Sequence, residues 1–157
     1  MSNEILCVID MQIDFVCPDR NKRVVNEVIR LIHKARKNKK KILLVEYTGC
    51  SWTLSQITKA VRHYDNYSYV QKNLENGADY ISATLQKSDF SDLTFHVCGV
   101  NWHQCVKSTA DGLLRKGAKI IAYPNASNPE FRSGLINAPG NWNELKTQYK
   151  ERLELVA

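Results

Sequence analysis

The chain has 157 residues, 43% of them hydrophobic, which is the size of one ordinary domain with enough apolar mass to fill a core. Its longest apolar runs, Ile5 to Ile9 and Ile42 to Val45, fall far short of the roughly 20 residues a membrane-spanning helix needs. The formal charge of +6 comes from a mixed surface with one local run, Lys37, Lys39, Lys40 and Lys41, at the end of a helical segment, where cations complement the helix dipole. No basic stripe with interleaved aromatics accompanies it, so neither nucleic acid nor membrane is an expected partner. Met1-Ser2-Asn3-Glu4 runs into a strand-like segment with no basic leader or apolar signal core, and a cytoplasmic location is expected.

In chain order, Ile5 to Ile9 is a continuous apolar run of the kind that suits a strand covered on both faces. Val24, Val25, Val28, Ile29, Leu31, Ile32 and Ala35 then repeat at three-and-four spacing, which predicts an amphipathic helix. Further strands are predicted at Lys41 to Tyr47, Tyr67 to Gln71, Thr94 to Cys98 and Ala118 to Tyr123. Further helices are predicted at Thr53 to Arg62, Ala78 to Gln86, Cys105 to Lys116 and Trp142 to Leu155. The stretch from Asn125 to Asn141, with Pro129, Gly134, Pro139 and Gly140, reads as the longest loop. Strands alternating with helices predict an α/β fold of three layers, α/β/α and Rossmann-like, with a mainly parallel central sheet. One domain over residues 1–157 is expected.

Ligands in such sheets bind beyond the carboxyl ends of the strands, so the residues just past each strand come first. Asp10 follows the first strand, where an acid can also do no more than cap a turn. Asp14, four residues on, reads as a brace for the loop. Lys72 ends the third strand; beside a carboxylate and a thiolate its charge would stabilise both. Cys105 lies six residues after Gly99, where the fourth strand breaks and a helical face begins. A thiol at a helix N-terminus meets free N–H groups and the positive end of the dipole, which favour thiolate and can also receive an oxyanion. Cys7, Cys17, Cys50 and Cys98 read as structural, and five cysteines at these positions do not suggest a disulfide framework. His33, His63, His96 and His103 form no cluster at ligand spacing, so neither a metal nor a cofactor is expected.

Ile5 to Phe15 with Asp10-Met11-Gln12-Ile13-Asp14-Phe15, Val70-Gln71-Lys72-Asn73, and Cys98-Gly99-Val100-Asn101-Trp102-His103-Gln104-Cys105 through Ala110 form three separate motifs. Together they resemble the isochorismatase-like cysteine hydrolase superfamily, which includes nicotinamidases and N-carbamoylsarcosine amidases. The resemblance implies a catalytic set of Asp10, Lys72 and Cys105, with Cys105 as nucleophile and Asp10 as proton carrier. It implies a cis bond between Val100 and Asn101, and an oxyanion hole made by the Asn101 and Cys105 N–H groups. Phe15 and Trp102 become candidates for substrate contact. Where nicotinamidases carry an Asp-x-His metal motif this chain reads Glu46-Tyr47-Thr48-Gly49-Cys50, and Trp102-His103 replaces the usual Thr-Asp pair. These departures favour a metal-independent hydrolase of a small amide, carbamoyl or related C–N bond. The alternatives are an isochorismatase-type ether hydrolase and a catalytically idle metabolite- or protein-binding member of the fold. The expected partner is a small-molecule substrate, and a homo-oligomer is left open.

Overall fold

A computed structural model describes residues 2–127 and 139–156 of the chain. Six strands form one sheet: β1 (Glu4–Ile9), β2 (Lys41–Tyr47), β3 (Tyr67–Lys72), β4 (Thr94–Gly99), β5 (Lys119–Ser127) and β6 (Leu153–Leu155). They lie in the order β3-β2-β1-β4-β5-β6, and every neighbouring pair is parallel. The helices are α1 (Lys22–Lys37), α2 (Ser55–Val61), α3 (Ala78–Leu85), α4 (Lys107–Arg115) and α5 (Pro139–Gln148). Among the described residues, no helix is long and apolar enough to cross a membrane.

The alternation of side chains along β1 explains the three layers. Ile5, Cys7 and Ile9 point to one core, which also takes Ala78 and Ile81 of α3, Ala110 and Leu113 of α4, and Trp142 and Leu145 of α5. Leu6 and Val8 point to the other, filled by the Val24, Val28 and Ile32 face of α1 and by Ile57 of α2. A strand buried on both faces has no polar side to alternate, which is why β1 reads as an unbroken apolar run.

The chain runs outward from β1 through β2 to β3, then returns to the other side of β1 for β4, β5 and β6. The order therefore reverses between β1 and β4, the kind of point at the carboxyl ends of the strands where parallel sheets bind their ligands. Asp10 leaves β1 at that point, and the segment carrying Cys105 leaves β4 at the same point.

Two predicted elements come out differently. The helix expected over Trp142 to Leu155 stops at Gln148, and Leu153–Leu155 pairs with β5 instead. Leu153 is buried against Ile120, so pairing at the sheet edge wins over continued helical spacing. The loop expected from Asn125 to Asn141 is strand up to Ser127 and helix from Pro139, with residues 128–138 outside those described.

Candidate active site

Gly99 sets up the break at the end of β4. Its φ is +120°, and a Cβ there would lie 2.0 Å from the Ile9 carbonyl oxygen, so only glycine lets the two strand ends approach this closely. The chain then passes through Asn101 in the left-handed region, φ 63°, a conformation that asparagine tolerates better than most residues. Next comes a single π-helical turn, Trp102–Val106, in which the Val106 N–H donates to the Asn101 carbonyl, before α4 begins at Lys107. Cys105 sits in this turn, 5% exposed.

Two sequence expectations are corrected here. The Val100–Asn101 bond is trans, and the described residues contain no cis peptide; the reversal is made by the left-handed Asn101 instead. Nor does Cys105 open a helix whose dipole holds it as thiolate. Burial, and after it the charge of Asp10, push its thiol up to about 12, with Lys72 only partly opposing them. Low dielectric and a neighbouring carboxylate both disfavour the thiolate.

Asp10 is fully buried, with φ 54°, and its N–H donates to the Val45 carbonyl at 2.9 Å, which ties the end of β1 to β2. Lys72 is fully buried too, and its Nζ stands 3.3 Å from Asp10 Oδ2. Asp10 Oδ1 has no hydrogen-bond partner among the described residues. Burial raises the Asp10 carboxyl above the ordinary aspartate range; the Lys72 charge and contact with the Cys105 thiol pull it down without cancelling that. The raised carboxyl makes Asp10 a stronger base than an exposed aspartate, and its contact with the Cys105 thiol puts it where it can take the thiol proton.

The lysine is held from all sides. Its Nζ also donates to the Leu74 carbonyl at 3.1 Å and lies 4.3 Å from the centre of the Tyr47 ring. Around its stem, the Gly77 N–H donates to Thr109 Oγ1 at 2.9 Å, and a Cβ on Gly77 would come within 3.3 Å of both Lys72 Cδ and that hydroxyl. α4 thus follows directly on the turn that holds Cys105 and locks the Lys72 segment with Thr109.

Tyr47 is itself clamped by Gln12, a residue that sequence reasoning left without a role. Gln12 Oε1 accepts from the Tyr47 N–H at 2.7 Å, and its Nε2 donates to the carbonyls of Tyr47 at 3.1 Å and Ser51 at 2.6 Å. Asp14 braces the same loop: its Oδ2 accepts from the Ser51 N–H and its own N–H donates to Ser51 Oγ. A signal for Gln12 was present only in its spacing, two residues past Asp10, which aims it at the neighbouring strand end.

The two candidate substrate contacts are placed differently. Phe15 is half-buried, edge-on to Tyr47 with ring centres 6.4 Å apart. Trp102 is 6% exposed and stacks on Trp142 of α5, with ring centres at 4.2 Å and an interplanar angle of 17°. It therefore anchors α5 to the nucleophile turn and offers little free surface. His103 in the same turn is shifted toward the neutral imidazole by burial and by the charge of Lys107.

The Isochorismatase domain model matches residues 4–129. The chain belongs to the isochorismatase family. No curated protein matches it by sequence. Among solved structures, the nicotinamidase of Staphylococcus aureus is similar at 16% identity, covering 99% of this chain and 100% of its own, with a TM-score of 0.72. The N-carbamoylsarcosine amidase of Thermoplasma acidophilum is 16% identical, covering 97% and 94%, with a TM-score of 0.71. An isochorismatase from Pseudomonas putida is 19% identical, covering 98% and 87%, with a TM-score of 0.73. The shared architecture is that of isochorismatase-like hydrolases.

The metal motif that the resemblance gives to nicotinamidases does not fit this member of the isochorismatase family. At its place the Glu46 carboxyl accepts three hydrogen bonds, from the Thr53 N–H and Oγ1, each at 2.8 Å, and from Gln71 Nε2 at 2.7 Å. Tyr47-Thr48-Gly49 brings no histidine, and among the described residues no three His, Cys, Asp or Glu side chains are grouped as a metal site.

Proposed function

We propose that this chain is a cysteine-dependent amidohydrolase that cleaves a small amide, carbamoyl or related C–N bond. One observation carries the reading: a fully buried Asp10–Lys72 pair at 3.3 Å acts electrostatically on the Cys105 thiol at the strand-order reversal. Taking two charges out of water is costly, and a purely binding fold has no need of a base beside a thiol.

Asp10 takes the thiol proton as Cys105 Sγ bonds to the carbonyl carbon, and the carbonyl electrons move onto oxygen. The Asn101 N–H has no acceptor among the described residues, and together with the Cys105 N–H it receives that oxyanion. Protonated Asp10 then hands its proton to the leaving nitrogen as the C–N bond breaks, which leaves a thioester and a free amine. Asp10 next takes a proton from water, whose oxygen attacks the thioester. The C–S bond breaks, Asp10 returns the proton to sulfur, and the acid leaves. Throughout, the Lys72 charge keeps the Asp10 and Cys105 sites from accumulating uncompensated negative charge.

The test is ammonia or amine release from a panel of small amides and carbamoylated amines by native protein, Cys105→Ser and Cys105→Ala. Loss of turnover by about 10³-fold or more in both variants is expected. Amine release that survives in Cys105→Ala would sink the nucleophile assignment, whereas no amide turnover together with cleavage of an isochorismate-like ether that survives Cys105→Ala would favour the ether-hydrolase alternative.

A further inference from the structure

Glu46 is a second buried acid in this region, 2% exposed, yet unlike Asp10 it forms no ion pair among the described residues. Its three partners, two on Thr53 and one on Gln71, are all neutral donors. Buried carboxylates are normally paired with a cation, because neutral hydrogen bonds replace only part of the lost hydration. Oε1 accepts only the Gln71 bond and retains capacity for another donor.

Glu46 also lines a cavity of about 140 Å³, together with Gln12, Tyr47, Trp52 and Gln71. Among the described lining residues Glu46 is the one formal charge, and no Lys, Arg or His accompanies it. Two of the lining residues are aromatic, and Trp52 is 79% exposed, so its indole is open to a ligand arriving from solvent. A carboxylate beside an open indole, with no cation among the lining residues, is an arrangement that recognises an organic cation, while the Tyr47 ring is already engaged by the Lys72 ammonium. The cavity adjoins the candidate active site through Tyr47, whose ring covers the Lys72 ammonium, and through Gln12, two residues past Asp10.

We infer that this cavity receives the ammonium or guanidinium end of the substrate, so that the bond presented to Cys105 belongs to a positively charged amide. The inference rests on the amidohydrolase reading for the reaction, but the cation site itself stands on Glu46 and its cavity.

The test reads binding without turnover. Tetramethylammonium is titrated into the full chain at constant ionic strength, with tert-butanol as its uncharged counterpart, and the Trp52 indole N–H is followed by NMR, assigned through Trp52→Phe. Saturable binding of the cation, at least about tenfold tighter than tert-butanol, is expected. Glu46→Gln should abolish that preference, and the charge-conserving swap Glu46→Gln with Gln71→Glu should restore it. Equal affinity for the two probes, a preference unchanged by Glu46→Gln, or displacement of the organic cation by equimolar zinc would overturn the inference. Amide turnover with no preference for cationic substrates would overturn its substrate part alone, whereas cation binding without any amide turnover would sink the amidohydrolase reading and leave the site standing.

Discussion

Lys72 and Asp10 face each other at 3.3 Å with neither side chain exposed to water, at the ends of strands that are two positions apart in the sheet. Each is the other's compensation. Removing one partner strands a buried charge, at a cost of about 3–5 kcal/mol, whereas replacing both with apolar groups of similar size is close to neutral. Lys72→Met should therefore destabilise the fold strongly in urea unfolding, and Asp10→Asn with Lys72→Met, which removes both charges and keeps a residue that tolerates the left-handed backbone at position 10, should recover most of the loss. A double variant no more stable than Lys72→Met would show that the pair is not the source of the effect.

The Cys105 thiol, raised to about 12, gives an unusual alkylation profile. Iodoacetamide labelling of the free protein, read by mass spectrometry at the Cys105 peptide, should climb with pH from 7 to 10 with no plateau. Asp10→Asn removes the carboxylate that adds to burial in raising the thiol, so labelling at pH 8 should become faster as hydrolysis is lost. A plateau at or below pH 8 in the native protein would mean that the resting nucleophile is a thiolate. The activity profile carries the complementary sign: because the Asp10 carboxyl is raised, turnover should fall on acidification at a pH above that of an ordinary aspartate, about 3.9.

Much of this arrangement was legible in the sequence because it depends on local pattern. β1 and α1 follow from an apolar run and a three-and-four repeat, and Asp10, Lys72 and Cys105 stood out as candidates because each lies at or beyond the carboxyl end of a strand, where parallel sheets gather their chemistry. β6 was missed because Trp142, Leu145 and Tyr149 set up a helical period that says nothing about the three residues pairing with β5. The π-helical turn was missed because it depends on the left-handed Asn101, which spacing does not encode. Gln12, Tyr47 and Glu46 act through bonds to residues up to 39 positions away, so their roles existed only once the strands were side by side.

Gly99 is the place where fold and site meet most tightly. With a Cβ 2.0 Å from the Ile9 carbonyl oxygen, which belongs to backbone and cannot rotate aside, β1 and β4 would have to part. The overpacking and the φ of +120° together should make Gly99→Ala cost about 3 kcal/mol or more. Because Asp10 and the Asn101 turn begin on either side of this contact, activity should fall further than stability explains. Full activity at a temperature where the variant is folded would contradict that geometry.

The opposite end of the sheet carries a pH dependence of its own. His96 Nε2 lies 3.1 Å from Glu4 Oε2 and 3.2 Å from Lys40 Nζ, while Nδ1 lies 2.7 Å from the Tyr123 hydroxyl. Lys40, part of the basic run that reads as a solvated helix end, pairs here with Glu4, and Lys34 stands near. Burial first, and the Lys40 charge second, hold the imidazole below its ordinary value, with Glu4 opposing. A histidine with a lowered folded value takes up its proton later than the unfolded chain does. Stability is thus fully present above about 6.5, the unfolded value, and is lost as pH falls toward the folded value. Glu4, also lowered in the fold, acts in the same direction at more acidic pH, because its carboxylate must be protonated before the contact with Lys40 is lost. The thermal midpoint should therefore drop between pH 7.5 and 5.5, and His96→Gln, which keeps hydrogen-bonding capacity without the titration, should flatten that drop. An equal drop in the variant would assign the acid sensitivity to other groups.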